Sequence, residues 1–129
     1  MSRVVHFDIE AADPERAIEF YESVFDWAFE RWDGPVEYWL VMTGPEDAPG
    51  IDGGLARREG DRPDPAAPSA AYTCTIDVAD VEATVAAVTE HGGRVDREIE
   101  PVPGVGRLAY CLDTEGNRFG VMEADETAG

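Results

Sequence analysis

The stretch Phe7-Asp8-Ile9-Glu10-Ala11-Ala12-Asp13-Pro14-Glu15-Arg16-Ala17 aligns without a gap on Cys74-Thr75-Ile76-Asp77-Val78-Ala79-Asp80-Val81-Glu82-Ala83-Thr84. Each copy reads as an alternating strand, an aspartate cap and the start of an amphipathic helix. In the first copy Val5, Phe7 and Ile9 fall on one face of a strand over Val4 to Glu10, with His6, Asp8 and Glu10 on the other. A period of two with one polar side describes a strand whose apolar side meets a helix. Asp13 is a helix cap with Pro14 at the first helical position, and Ala17, Phe20, Tyr21, Val24 and Phe25 form the apolar stripe that follows. In the second copy Tyr72, Cys74, Ile76 and Val78 form the apolar strand face and Thr73, Thr75 and Asp77 the polar one. Asp80 caps a helix that turns Val81, Val85 and Val88 inward and ends at Gly92-Gly93.

Working outward from the repeat, Glu37 to Thr43 and Gly53 to Arg57 read as further strands of the first module, and Val95–Ile99, Gly106–Asp113 and Asn117–Glu123 as those of the second. Each half is then strand, helix, strand, strand, strand. That order is incompatible with a doubly wound parallel sheet, which needs strands and helices to alternate throughout. It predicts an α+β fold, with helices on one side of a largely antiparallel sheet. The polar face carrying His6, Asp8, Thr73 and Thr75 is left open, and a pocket is expected between the two copies. At 129 residues the chain is expected to be one domain, with modules over residues 1–58 and 70–125. Residues 59–69, with Pro63, Pro65 and Pro68 among charged and small residues, read as the linker.

Asp and Glu number 28 against 10 arginines and no lysine, a formal net charge of −18. Such a chain repels nucleic acid and anionic membrane surfaces, so neither is expected as a partner. The acids are spread through helices, loops and tail, as expected of a solvated surface suited to high salt; a face attracting a cationic ligand is the competing reading. The two cysteines, Cys74 and Cys111, lie in apolar strand patterns and are expected to be buried free thiols. No window is apolar and long enough for a spanning helix, and Met1-Ser2-Arg3 runs into a strand without an apolar leader. A soluble cytoplasmic protein is expected.

At several of these residues the chain resembles the vicinal oxygen chelate superfamily, which includes glyoxalase I, extradiol dioxygenases and bleomycin- and fosfomycin-resistance proteins. The marks are Val5-His6-Phe7-Asp8-Ile9, Asp13-Pro14-Glu15-Arg16-Ala17, Phe20-Tyr21, Val24-Phe25-Asp26-Trp27, Gly53-Gly54-Leu55, Gly92-Gly93, Gly104-Val105-Gly106-Arg107 and Asp113-Thr114-Glu115-Gly116-Asn117-Arg118-Phe119. The resemblance implies two βαβββ modules forming a half-barrel mixed sheet with helices outside, one pocket, and a homodimer. It also implies a divalent metal held by the first and last strands of each module. Carried over residue by residue, those four positions fall at His6, about Gly54, Thr73 and Gly120. Only His6 is a competent ligand. Glycine has no side chain, threonine is a poor ligand, and a tight site usually takes about three or more protein donors. Glu123 stands three residues beyond Gly120 and by parity points to the opposite face.

No metal or other cofactor is therefore expected, and the chain reads as a small-molecule-binding protein with a degraded metal site. The expected pocket comprises His6, Asp8, Tyr38, Gly54, Thr73, Thr75, Tyr110, Arg118, Gly120 and Met122, with Trp39 and Met42 also bordering it. Arg107 and Arg118 are candidates for pairing an anionic ligand, or else surface ion pairs. His6 is a pocket base or hydrogen-bond donor, or a histidine bonded to a neighbour such as Asp8; it is the catalytic residue if there is one. His91 reads as a helix-terminal residue. The alternative function is a metal-dependent glyoxalase-like lyase, isomerase or dioxygenase with an altered site around His6.

Overall fold

In the computed structural model, residues 2–61 and 72–129 are described; most of the expected linker, residues 62–69, lies outside them. Among the described residues there are eight strands and two helices, so the class is α+β as expected. The strands are β1 Val4–Ala11, β2 Ala28–Arg31, β3 Trp39–Met42, β4 Gly53–Arg57, β5 Tyr72–Asp77, β6 Arg94–Val102, β7 Gly106–Leu112 and β8 Arg118–Ala124. The helices are α1 Pro14–Phe25 and α2 Val81–Glu90. Two compact units result, His6–Tyr72 and Met1–Val5 with Thr73–Gly129.

In the unit His6–Tyr72 the strand order is β2-β3-β4-β1, antiparallel except for the parallel pair β4–β1. Parallel neighbours need a crossover, and here α1, β2 and β3 all lie between β1 and β4 in sequence. The register sets Phe7 beside Gly53 and Asp8 beside Gly54. Phe7, Ile9, Val41 and Leu55 form the buried core, with Ala17, Ile18 and Tyr21 of α1 and Trp27, Phe29 and Trp39 packed on it. A side chain at Gly53 would strike the Phe7 carbonyl oxygen at 2.4 Å, so the close approach of β4 to β1 requires glycine there. Asp13 accepts from the Arg16 amide at 3.2 Å and opens α1, which ends at Asp26 in the left-handed conformation, φ 62°.

Ala28–Arg31 is too brief to show alternation in sequence, and its pairing with β3 defines β2. Two expectations are corrected in this unit. The inward stripe of α1 is Ala17, Ile18 and Tyr21, whereas Phe20, Val24 and Phe25 are each 56% exposed. A four-stranded half with two short strands is too narrow to cover the whole apolar arc of the helix. Trp39 faces this core and not the opposite side, since it shares strand parity with buried Val41.

In the other unit the order is β5-β8-β7-β6, with β5–β8 parallel. Thr75 pairs with Gly120, reproducing the Asp8–Gly54 register of the first copy. Val78, Val81, Ala109 and Val121 form its buried core, joined by Ile76, Val85, Ile99 and Phe119. The α2 helix is capped by Asp80, which accepts from Ala83 at 3.0 Å, and by Glu123, which accepts from the Val81 amide at 3.0 Å. It closes with Gly92 at φ 96° and the Gly93 amide donating to the Val88 carbonyl, as a Schellman turn does.

Burial along β5 differs from expectation. Thr73 and Thr75 are 7% and 4% exposed, while Tyr72 is 47% exposed and the Cys74 thiol is exposed. The helix-side core reaches only as far as Ile76, which leaves Cys74 beyond it, and Thr75 is closed in where Gly120 offers no side chain. Cys111 is buried, which raises its thiol pKa, with the nearby charges of Asp96 and Glu98 adding to the shift.

The β7–β8 turn is held by Asp113, whose carboxylate accepts from the amides of Asn117 (2.9 Å) and Glu115 (2.8 Å) and from the Asn117 side chain. Hydrogen bonds from Asn117, then Glu115, hold its pKa below the ordinary value of 3.8. That contribution is present above the unfolded carboxyl value of about 3.9 and is lost as pH falls through the lower folded value. The urea midpoint of Asp113→Asn is therefore expected below that of the parent at pH 7, the gap closing as the solution is acidified past pH ~4. Leu55 is fully buried. Leu55→Ala is expected to lower unfolding free energy by about 2–5 kcal/mol in denaturant titration, through lost contacts and a residual cavity.

Candidate functional site

On the side of the His6–Tyr72 sheet away from α1, strand parity places His6, Asp8 and Gly54 together, and Tyr38 enters from the residue before β3. The Tyr38 hydroxyl donates to Asp8 Oδ1 at 2.5 Å and lies 2.9 Å from His6 Nε2, which is itself 3.2 Å from the same Asp8 oxygen. A phenol has one proton. With that proton committed to Asp8, His6 must donate from Nε2 to the Tyr38 oxygen, which fixes the protonated nitrogen. The His6 and Asp8 side chains are 34% and 21% exposed, so the triangle lies at the margin of solvent.

Gly54 makes this arrangement possible. A Cβ at residue 54 would fall 1.5 Å from the Tyr38 hydroxyl oxygen and 1.9 Å from its ring carbon. The phenol occupies the volume any side chain at position 54 would need. Trp32 packs edge-on against the Tyr38 ring with centroids 5.9 Å apart, and its amide donates to the Tyr38 carbonyl at 2.9 Å, tying off the intervening loop.

The other unit has a related corner on its side away from α2. A Cβ at Gly120 would meet Thr75 Oγ1 at 2.9 Å and the Tyr110 ring at 3.2 Å. Tyr110 lies beside Gly120 in register, and the Arg118 guanidinium stands 3.8 Å over its ring. Arg118 also donates to Asp96 at 2.9 Å, so this cation is already paired. Met122 shares the Gly120 face and approaches Gly106, where a Cβ would lie 2.8 Å from its sulfur. Thr73 lies on the same parity of β5 as Thr75 and is buried.

Of the ten expected pocket residues, His6, Asp8, Tyr38 and Gly54 meet in one corner and Thr75, Tyr110, Arg118 and Gly120 in another. Arg107 is elsewhere. It binds Glu82 of α2 at 2.7 Å on the helix side and carries no pocket role. Trp32 was missed as a neighbour of Tyr38; its only sequence signal was the Asp33-Gly34-Pro35 turn that folds residue 32 back toward 38.

The family model of the Glyoxalase/Bleomycin resistance protein/Dioxygenase superfamily matches residues 3–121. The chain belongs to that superfamily. A glyoxylase-like domain-containing protein from Didymella fabae is 30% identical over 118 residues, 88% of each chain. Among solved structures, methylmalonyl-CoA epimerase from Mycobacterium tuberculosis superposes with a TM-score of 0.68 at 17% identity, covering 95% of this chain and 87% of that one. A hypothetical protein from Bacillus halodurans C-125 gives 0.66 at 18% identity over 99% and 98%. A Streptomyces coelicolor methylmalonyl-CoA epimerase variant in complex with 2-nitronate-propionyl-CoA gives 0.63 at 20% identity over 98% and 97%. At these identities the structural likenesses show the fold.

The metal that such a fold implies does not fit these residues. The two last-strand positions, Gly54 and Gly120, supply no donor, and their side-chain space is taken by Tyr38 and by Thr75 with Tyr110. Among the described residues no group of three or more His, Cys, Asp or Glu side chains is placed to hold a metal ion. His6 and Asp8 spend their facing atoms on each other and on Tyr38.

The two glycines should respond differently to a methyl group. Gly54→Ala is expected to expel the Tyr38 ring and cost about 1–3 kcal/mol, read as a lower denaturation midpoint and loss of the His6–Tyr38 contacts by NMR. Gly120→Ala would set its Cβ 2.9 Å from Oγ1 of the buried Thr75 and 3.2 Å from the Tyr110 ring, so the threonine must shift and the ring must give slightly. Its cost should be smaller than that of Gly54→Ala, about 1 kcal/mol, because no whole side chain is expelled.

Proposed function

We propose that this protein binds a small organic molecule through side chains alone, with no chelated metal. The observation that supports this reading is the Tyr38 hydroxyl seated in the space above Gly54. Where a metal-binding relative would need a carboxylate, this chain has a phenol bonded to Asp8 and His6. The corner built on Asp8, with the Trp32 ring beside it, suits a ligand held by a few polar points and an apolar wall. His6, Asp8 and Tyr38 are the residues on which the reading places most weight.

A second reading is kept because the fold neighbours include epimerases: an isomerase-like activity, which in this chain would use a metal with His6 as the surviving ligand. Metal retention separates the two. After loading with nickel, zinc or iron and desalting, the protein is expected to keep well under one metal per chain. One metal per chain, lost in His6→Ala, would overturn the proposal. A thermal-shift screen of small organic molecules should find at least one stabilising ligand in metal-free buffer; none across a broad library counts against it.

The half-exposed Phe20, Val24 and Phe25 on α1 support a homodimer as part of the same proposal, and sedimentation would test it. Among the described residues no helix is long and apolar enough to cross a membrane. Two free cysteines are compatible with the reducing cytoplasm we propose as its setting.

A further inference from the structure

We infer that Tyr38 is an internal occupant of a hydroxyl-binding site, and that the ligand of this corner is a neutral phenol that displaces it. The inference rests on the metal-free binding reading above and gives it a ligand class.

Tyr38 shows what the corner accepts. Its oxygen donates to the Asp8 carboxylate and accepts from His6 Nε2, so the half-buried phenolic hydroxyl uses both its donor and an acceptor site. Its ring runs past the bare backbone of Gly54, with hydroxyl, Cζ and Cε1 all closer than 3 Å to where a Cβ would stand. The edge of Trp32 supplies an aromatic wall. A planar ring bearing one hydroxyl is therefore matched in shape, in apolar contact and in both hydrogen bonds.

The phenol leaves by side-chain rotation alone. Tyr38 precedes β3 and its backbone stays tied, its carbonyl accepting from the Trp32 amide at 2.9 Å, while the adjacent Val36 and Glu37 are exposed, Glu37 being paired with Arg57 at 2.9 Å. Asp8 and His6 are both within β1, where Asp8 pairs with Gly54 of β4. Rotating the phenol out would expose Asp8, His6 and the Gly54 backbone as a preformed receptor.

Charge narrows the ligand further. The acceptor is a carboxylate in a chain of net charge −18, and the other polar partner is a donor to oxygen. An anionic head group would face Asp8 at contact distance, whereas a neutral O–H satisfies both partners. Phenol should therefore be preferred over benzoate, and over toluene, which has no proton for Asp8.

Tyr38→Ala empties the site and is the decisive variant. Titrated by calorimetry at neutral pH, it is expected to bind phenol or p-cresol one to one, at least tenfold tighter than the parent protein, whose own tyrosine competes. Toluene and benzoate should bind at least tenfold more weakly than p-cresol to the same variant. Adding Asp8→Asn or Gly54→Ala to Tyr38→Ala should remove that preference. A folded Tyr38→Ala that binds p-cresol no better than the parent, or toluene equally well, overturns the inference. Should that variant not fold, NMR of the parent decides instead. Phenol, and not toluene, must then shift the His6 and Tyr38 ring signals saturably, and no such shift overturns it. Failure here is distinct from failure of the broader reading. Library ligands whose affinity is unchanged by Asp8→Asn would leave metal-free binding standing while removing the phenol site.

Discussion

A side chain at position 54 and a phenol at position 38 are mutually exclusive, and the character of the site follows from which one the chain has kept. In parallel register with β1, position 54 lies directly beside Asp8 and on the face that carries His6. A carboxylate there would point at the histidine and build toward a metal. With glycine there, the space is filled by the nearest aromatic residue of the adjoining segment, and the histidine's donor goes to an oxygen already bonded to Asp8. The acid, the base and the hydroxyl thus satisfy one another, which keeps the partly buried Asp8 and His6 inexpensive to hold.

The second module reaches a related outcome by a different route. Gly120 occupies the same register beside Thr75 that Gly54 occupies beside Asp8. Its space is closed by Tyr110 from the directly adjoining position of β7, whereas Tyr38 comes from two residues before the Leu40 that pairs with Gly54. The consequences differ. Tyr110 lies within a continuous strand, under a guanidinium that is itself tied to Asp96. Threonine cannot supply the charge that Asp8 gives the first corner. One duplicated scaffold therefore carries a corner in which a carboxylate, an imidazole and a phenol bond one another, and another in which a paired cation lies over an aromatic ring.

The repeat made most of this legible before any coordinates. Alternation from Val4 and from Tyr72 gave both first strands, and Asp13 and Asp80 gave the starts of both helices, because strand parity and capping are local properties of the chain. That His6 and Asp8 share one face follows from position on a strand, whereas the glycine at about 54 is marked as a site position by the family resemblance. What sequence could not supply were facts of packing. The space above Gly54 has to be filled by something, and only the path of the loop between Trp32 and Tyr38 decides that it is Tyr38. The exposure of Cys74 depends likewise on how far the α2 core extends along β5, and the burial of Thr75 on what closes over it beside Gly120 on the other face, neither of which the pattern of that strand alone encodes. Arg107 and Arg118 show the same limit: both lie on strands beside the expected site, yet opposite parity sends one to Glu82 and the other to Tyr110.

Strong acidity and a site built on a carboxylate are easily read together as selectivity for cations, but the hydrogen bonding argues otherwise. Of the three atoms in the triangle, Asp8 Oδ1 accepts and His6 Nε2 donates, with the oxygen between them doing both. An ammonium group could replace the phenol at Asp8, but it would require His6 to carry its proton on the other ring nitrogen, so that Nε2 accepts instead of donating. A hydroxyl satisfies both at once. The surface charge acts over long distances and is screened by salt. The choice of ligand at the corner is made at contact range, by the number and direction of donors and acceptors, and there the neutral hydroxyl is favoured over either sign of charge.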